Sequence, residues 1–127
     1  MNQQYWNKTY TYAVVGASPN PEKYGNTVLS TLMQKGYHVL PINPNEKTIL
    51  GIQCYPRLLD CPNPIDVVIF VVPPHVTLNV LKDVLKKGIS KVWFQPGSES
   101  QEALEFCKRN GILATAHACM FQHLNRS

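Results

Sequence analysis

This 127-residue chain has no C-x-x-C pair, no dense Lys/Arg run, no G-x-G-x-x-G segment and no long apolar stretch. Each absence removes a class of function. Without C-x-x-C, the four cysteines Cys54, Cys61, Cys107 and Cys119 form neither a zinc ribbon nor a thioredoxin-type motif. No metal site is expected from them. No basic step is longer than a pair such as Lys86-Lys87. A formal net charge of +4 without a basic stripe or motif argues against a nucleic-acid partner. The longest apolar run falls well short of a membrane span, and Met1 to Thr9 is polar, without the apolar centre of a secretion signal. The expectation is a protein of the reducing cytoplasm with free thiols. Only 16% of residues are charged and 44% are hydrophobic, a balance opposite to that of disordered chains.

What is present is an alternation of two periods. Short β-branched or fully apolar runs lie at Thr11–Gly16, Tyr37–Ile42, Asp66–Val72, Lys91–Gln95 and Ile112–Ala116. Between them, apolar residues recur at helical spacing. One set is Tyr24, Val28, Leu29, Leu32 and Met33, another is Val76, Val80, Leu81, Val84 and Leu85, and the last is Ala103, Leu104, Phe106 and Cys107. Gly36, Gly88 and Gly111 stand where helices would end. Ser98-Glu-Ser-Gln101 matches a capping box and is expected to start the last helix. Ile52–Tyr55 is expected to be a short extra strand. Alternating strands and helices predict an α/β fold, a three-layer, doubly wound parallel sheet of Rossmann-like type in one domain spanning 1–127. Trp93, inside a strand, is expected in the core. Trp6 is expected to pack either on the domain or on a second subunit.

In such sheets, ligands bind beyond the carboxyl ends of the strands. Here those ends are rich in Gly, Pro, Ser and Asn. At the first, Gly16 removes a Cβ where strand turns to helix. Backbone N–H groups near Ala17 and Ser18, with the helix start behind them, would face an anion. Lys23 would add a positive charge, and Gly25 would let the helix start lie close to the ligand or to the sheet. The plain alternative is an ordinary strand-to-helix turn. At the second strand end stands Asn43-Pro44-Asn45, where NAD-binding domains usually carry an acid. Lys47 follows nearby and suits an extra ribose phosphate, which both NADP and coenzyme A carry.

Three segments then stand in a specific order: Gly16-Ala-Ser-x-x-Pro-x-Lys-x-Gly25, Tyr37-x-Val-x-Pro-x-Asn-Pro44 followed by Gly51, and Val92-Trp-Phe-Gln-Pro-Gly97 with Cys119 in the tail. From Tyr12 to Cys119 this pattern resembles the small single-domain CoA-binding proteins, whose fold is similar to the CoA-binding domain of succinyl-CoA synthetase-type ligases. The resemblance implies coenzyme A or an acyl-CoA as cofactor. Gly16, Ala17, Ser18 and Lys23 would surround its phosphates, and Asn43 and Pro44 would border the adenosine. Val72 and Pro73 would line the adenine or pantetheine groove, and Gln95, Pro96 and Gly97 would close the far wall. Two departures stand out. Val71-Val72-Pro73 occupies the place of a Phe-Arg-Pro that many relatives carry, and His117-Ala118 replaces an acid and an arginine before the late cysteine. Both remove a cation.

No catalytic set is evident. His38 and His75 read as strand and first-turn residues, and His123 stands alone near the end. His117 and Cys119 are the closest pair, and an active dyad would need a contact that spacing cannot supply. Cys119 would either form a mixed disulfide with the coenzyme thiol or, as free cysteines more often do, pack as a small apolar residue. Ligase activity would require further domains, hence a partner subunit. The expectation is a CoA-binding protein without catalysis of its own, with a homodimer or a partner ligase subunit as its protein partner. The alternatives are an NADP-type nucleotide-binding domain or reductase-like subunit, and a domain kept for assembly alone.

Overall fold

Five strands, β1 (Thr11–Val15), β2 (His38–Ile42), β5 (Val67–Phe70), β6 (Lys91–Phe94) and β7 (Leu113–Thr115), form one parallel sheet in the order β2-β1-β5-β6-β7. The structure, a computed structural model, describes residues 4–124. Helices α1 (Tyr24–Gln34), α2 (Pro74–Lys87) and α3 (Gln101–Arg109) connect the strands, and a short antiparallel pair, β3 (Thr48–Ile49) and β4 (Ile52–Gln53), follows β2. The expected strand at Ile52–Tyr55 is thus divided. Its first half belongs to this hairpin, and Tyr55 makes one parallel bridge to Ile42.

Alternation along each strand sorts side chains to two faces. Tyr12 and Val14 point to the side covered by α1, with Val28, Leu29 and Leu32 packed on them. Ala13 and Val15 point to the side covered by α2 and α3, where Leu81, Val84, Ala103 and Cys107 pack. All four residues of β5 are fully buried, as a central parallel strand with both faces covered requires. The sheet is therefore a three-layer, doubly wound, Rossmann-like α/β structure. α1 and α2 end in Schellman geometry. Gly36 and Gly88 adopt φ of +87° and +71°, and the amides after them, Tyr37 N and Ile89 N, donate back to Leu32 and Val84.

Two further details differ from the sequence reading. The last long helix is capped by Ser100, whose Oγ accepts from Ala103 N at 3.1 Å. Ser98 is consumed by the Pro96-Gly97 turn, its amide bonded to Gln95 O, while Glu99 takes the Gly97 amide. The residue three positions after Ser100 is an alanine, which cannot return a bond, so there is a cap but no box. A further short helix, α4 (Met120–Leu124), follows β7. Two aromatics of the lead-in pack on the sheet as well: Trp6 stacks on Tyr12 at 5.7 Å and Tyr5 meets the edge of Trp93 at 5.1 Å. Trp6 is 6% exposed, so it packs on its own sheet face, and Trp93 is fully buried in the same cluster. Among the described residues, no helix is long and apolar enough to cross a membrane.

Candidate functional site

From β1 the chain leaves toward α1 on one face of the sheet, and from β5 it leaves toward α2 on the other. The strand order reverses between these two neighbours, which opens a crevice at their carboxyl ends. Two glycines shape its rim. A Cβ on Gly16, which has φ +101°, would come within 2.7 Å of Val71 O and of Val72 Cγ1. A Cβ on Gly25 would overlap the carbonyl oxygen of Gly16. Of the two roles open to Gly25, the structure shows the close approach to the strand end.

The β1–α1 loop is tied from behind. Asn43 Nδ2 donates to Ala17 O at 2.9 Å and Asn26 Nδ2 donates to Ser18 O at 3.0 Å. Asn43 Oδ1 in turn accepts from Asn45 N at 2.8 Å. Both carbonyls of the Ala17-Ser18 segment are therefore fixed by side chains from α1 and from the end of β2. Nothing in the sequence marks Asn26, an asparagine in the first turn of α1.

A cleft of about 500 Å³ opens on the α2 side. Its upper end is formed by Gly16, Asn43, Pro44 and Val72, four of the residues expected at the site. Its walls are apolar, with Val15 and Ile42 from the strand ends and Leu58, Val76 and Val80 opposite. At its lower end stand Arg57, Asn79 and Asp83. Arg57 is the one cationic side chain among the lining residues. Its Nη2 lies 3.4 Å from Asp83 Oδ1, with the arginine side chain 61% exposed and the aspartate 12%. None of these three was expected from sequence. Arg57 sits in an irregular stretch, and Asn79 and Asp83 read as the outer face of α2. The cleft that Val72 lines thus holds a cation, Arg57, although Val72 stands where many relatives carry the arginine of Phe-Arg-Pro.

The remaining expected residues lie outside this lining. Ala17, Ser18 and the exposed Lys23 stand on the β1–α1 loop, with Lys23 as the N-cap residue of α1. Pro73 caps α2 and is exposed, as are Pro96 and Gly97. Lys47 lies across the Pro44–Pro56 ridge in an adjoining shallow hollow. Gln95 and Cys119 belong to the opposite, α1 side. Gln95 is fully buried: its Oε1 accepts from Trp93 Nε1 at 2.9 Å and from Met120 N at 3.0 Å, and its Nε2 donates to Tyr24 Oη at 2.8 Å. Cys119 Sγ lies 3.3 Å from Tyr24 Oη. Burial first, and then this sulfur, push the Tyr24 hydroxyl above its usual range.

The structure pairs Cys119 with Tyr24 and Gln95, not with His117, which is exposed on a turn at φ +63°. His38 bonds to Thr11 Oγ1, His75 lies in the first turn of α2, and the side chain of His123 lies outside the described residues. Among the described residues, no group of three or more His, Cys, Asp or Glu gathers as a metal site.

The four thiols are free and unequal. Cys54, Cys61 and Cys107 are buried, whereas Cys119 is half-buried. Burial raises the pKa of all three, to about 11 for Cys61 and Cys107. Thiols are protonated and sluggish below their pKa. Native protein at pH 8 is therefore expected to label rapidly with a disulfide reagent at one thiol per chain, and Cys119→Ser to abolish that phase. Rapid labelling of a second thiol would contradict the burial described.

Fold and crevice define a Rossmann-like α/β domain with an apolar cleft at the carboxyl ends of its strands. The chain belongs to the CoA binding domain family, whose profile matches residues 10–124. Coenzyme A is thereby its cofactor, and the cleft fits it, with apolar walls, a rim opened at Gly16 and one guanidinium. The chain is 34% identical over 112 residues to an ADP-forming acetate–CoA ligase of Archaeoglobus fulgidus, covering 79% of this chain and 17% of that one. It is 33% identical over 81 residues to the alpha subunit of an ADP-forming acetate–CoA ligase of Pyrococcus furiosus, covering 63% and 18%. It thus spans under a fifth of the length of these relatives. A solved structure of a conserved hypothetical protein from P. furiosus superposes with a TM-score of 0.86 at 44% identity, covering 90% of this chain and 98% of that one.

Proposed function

We propose that this chain is a single-domain carrier or sensor of coenzyme A or an acyl-CoA. It would hold the ligand's phosphates at the Gly16-Ala17-Ser18 loop, at the carboxyl edge of the sheet, without catalysis of its own. The observation that carries this reading is the cleft beneath that loop. Gly16 opens it, Asn43 and Asn26 brace the loop's carbonyls, and Arg57 places a guanidinium within it. Lys23, exposed at the start of α1, adds charge beside the same loop. Arg57 stands at the lower end of the cleft, paired with Asp83, so at the loop itself Lys23 carries the charge. The four free thiols fit a reducing cytoplasm. The P. furiosus relative bears the name of a ligase subunit, which supports a partner subunit as the route by which bound CoA would enter a reaction. A homodimer is the other assembly to be tested.

Calorimetry at moderate salt tests this directly, with CoA, acetyl-CoA, NAD and NADPH titrated in parallel. Micromolar binding of CoA corresponds to about −8 kcal/mol. Lys23→Ala is expected to weaken it about tenfold, as loss of a charge-assisted bond does, and Arg57→Ala by less. Heat with NADPH and none with CoA would hand the site to the NADP-type reading. No heat with any of them would leave the assembly role.

A further inference from the structure

The two edges of the sheet differ. Beyond β2 the edge is closed: Tyr55 N donates to Pro41 O at 3.0 Å, and Tyr55 O accepts from Asn43 N at 3.0 Å. Pro41, within β2, has no N–H to offer a further strand. At the other edge, among the described residues, no strand lies beyond β7. Leu113 and Thr115 turn their backbone toward β6, in register with Lys91 and Trp93, and Leu113 N donates to Ser90 O at 2.8 Å. Backbone groups alternate in direction along a strand, so Ala114 presents its N–H and C=O outward. Such edges are ordinarily guarded by lysine or proline. The run Ile112-Leu-Ala-Thr-Ala116 contains neither, and Leu113 is 43% exposed. Helix α3 packs on this strand, with Cys107 in the same cluster as Ile112 and Ala114. Its ends are oppositely charged and exposed, with Glu102 in the first turn and Lys108 and Arg109 in the last.

We propose that β7 pairs antiparallel with β7 of a second copy of this chain, about a two-fold axis at Ala114. A two-fold interface must complement itself, and this one does. Ala114 exchanges both main-chain bonds with its own copy, Leu113 lies opposite Thr115, and Ile112 lies opposite Ala116. Every cross-strand pair is apolar or small, and no like charges meet. A three-residue strand is too short to hold a dimer by its ladder alone, and α3 supplies the second layer. The axis sets the two α3 helices antiparallel on one face of the joined sheet. The Glu102 end of each then lies against the Lys108-Arg109 end of the other, an attraction made twice. A strand from an unrelated protein would match the ladder without matching the helix, which favours a second copy as the occupant. The carboxyl ends of the two sheets point in opposite directions, so both clefts stay open. This interface goes beyond the CoA-binding reading and does not rest on it.

The test is analytical ultracentrifugation of the full chain without CoA, from low to high micromolar concentration, so its outcome is separate from that of the CoA titration. Wild type is expected to sediment with twice the mass of one chain. Leu113→Lys changes an exposed side chain and puts a lysine on the edge. It is expected to weaken self-association about tenfold or more while the chain still melts cooperatively. Glu102→Lys, also at an exposed position, is expected to weaken it as well, and so is high salt, which screens exposed charges. Adding Lys108→Glu and Arg109→Glu to the Glu102→Lys chain reverses both ends of α3, and is expected to restore the dimer. Only a contact between the two helices predicts that recovery. A single-chain mass at the highest concentration, a dimer indifferent to Leu113→Lys, or a charge-reversed chain no better than Glu102→Lys alone would overturn the proposal.

Discussion

Gly25→Ala is expected to destabilise the domain by about 3 kcal/mol, toward or beyond the upper end of what overpacking normally costs, and to lower Tm by roughly 10 °C. The sign is informative, because within a helix alanine ordinarily gains over glycine, by up to about 1 kcal/mol in the interior and less in a first turn such as that of Gly25. Here the added methyl would overlap the carbonyl oxygen of Gly16, and backbone cannot rotate away as a side chain can. Relief requires α1 to withdraw from the end of β1, which moves the Ala17-Ser18 loop and its anchor Asn43. CoA affinity should therefore fall together with stability. Gly36→Ala is the matched control. Nothing lies within 4 Å of its added methyl, so it carries only the left-handed backbone penalty of about 1–2 kcal/mol and should leave CoA binding unchanged. Thermal melts and a CoA titration of the two variants check this. An unchanged or raised Tm for Gly25→Ala would refute the close approach.

The second large effect is expected at Gln95. Gln95→Leu keeps the volume roughly but removes the acceptor shared by Trp93 Nε1 and Met120 N, both buried bonds. Each donor left unsatisfied costs about 1–3 kcal/mol, so a loss of about 3 kcal/mol is expected even if the two relax together. The loss should be directional. Met120 opens α4, and Met120 and Leu124 are buried in the same cluster as Trp93, so the C-terminal helix should loosen first. Limited proteolysis near residue 120 should speed up, and urea unfolding followed by tryptophan fluorescence should shift to lower midpoint. Gln95→Glu can still accept from both donors, yet it cannot donate to Tyr24 and places a charge in the core, so it should also destabilise. If either variant lost CoA affinity at full stability, Gln95 would be a ligand wall, as its place at a strand end suggests, rather than a strut.

Gln95 illustrates how far the sequence could be read. Its position after β6 marked it as belonging to a loop at the ligand-bearing edge, and the strand itself was plain from Val92-Trp-Phe94. Its bonding was not legible, because its partners are Tyr24 and Met120, 71 and 25 residues away. Nothing in local pattern encodes a long-range side-chain bond. Cys119 carries the same local signal of the ligand edge, and its neighbours prove to be on the α1 face. The short α4 escaped because five residues are too few to display a 3.6-residue period. The Ser98 cap was misplaced because the motif matched two residues early, and only the Pro96-Gly97 turn decides which serine is left to face the helix.

The sequence by itself determined the order of strands and helices, the glycines that end the helices, and the loop that opens the crevice. These follow from local steric and hydrophobic rules that act over a few residues, and the family pattern from Gly16 to Cys119 is carried by the same short segments. Tertiary structure alone decided which strand ends share a cleft. It brought Arg57 and Asp83 together across 26 residues, placed Arg57 in the cleft that Val72 lines, and turned Gln95 and Cys119 to the opposite face. The physical reason is that side-chain direction at a strand end, and the depth of a helix face below a rim, depend on how layers pack against one another.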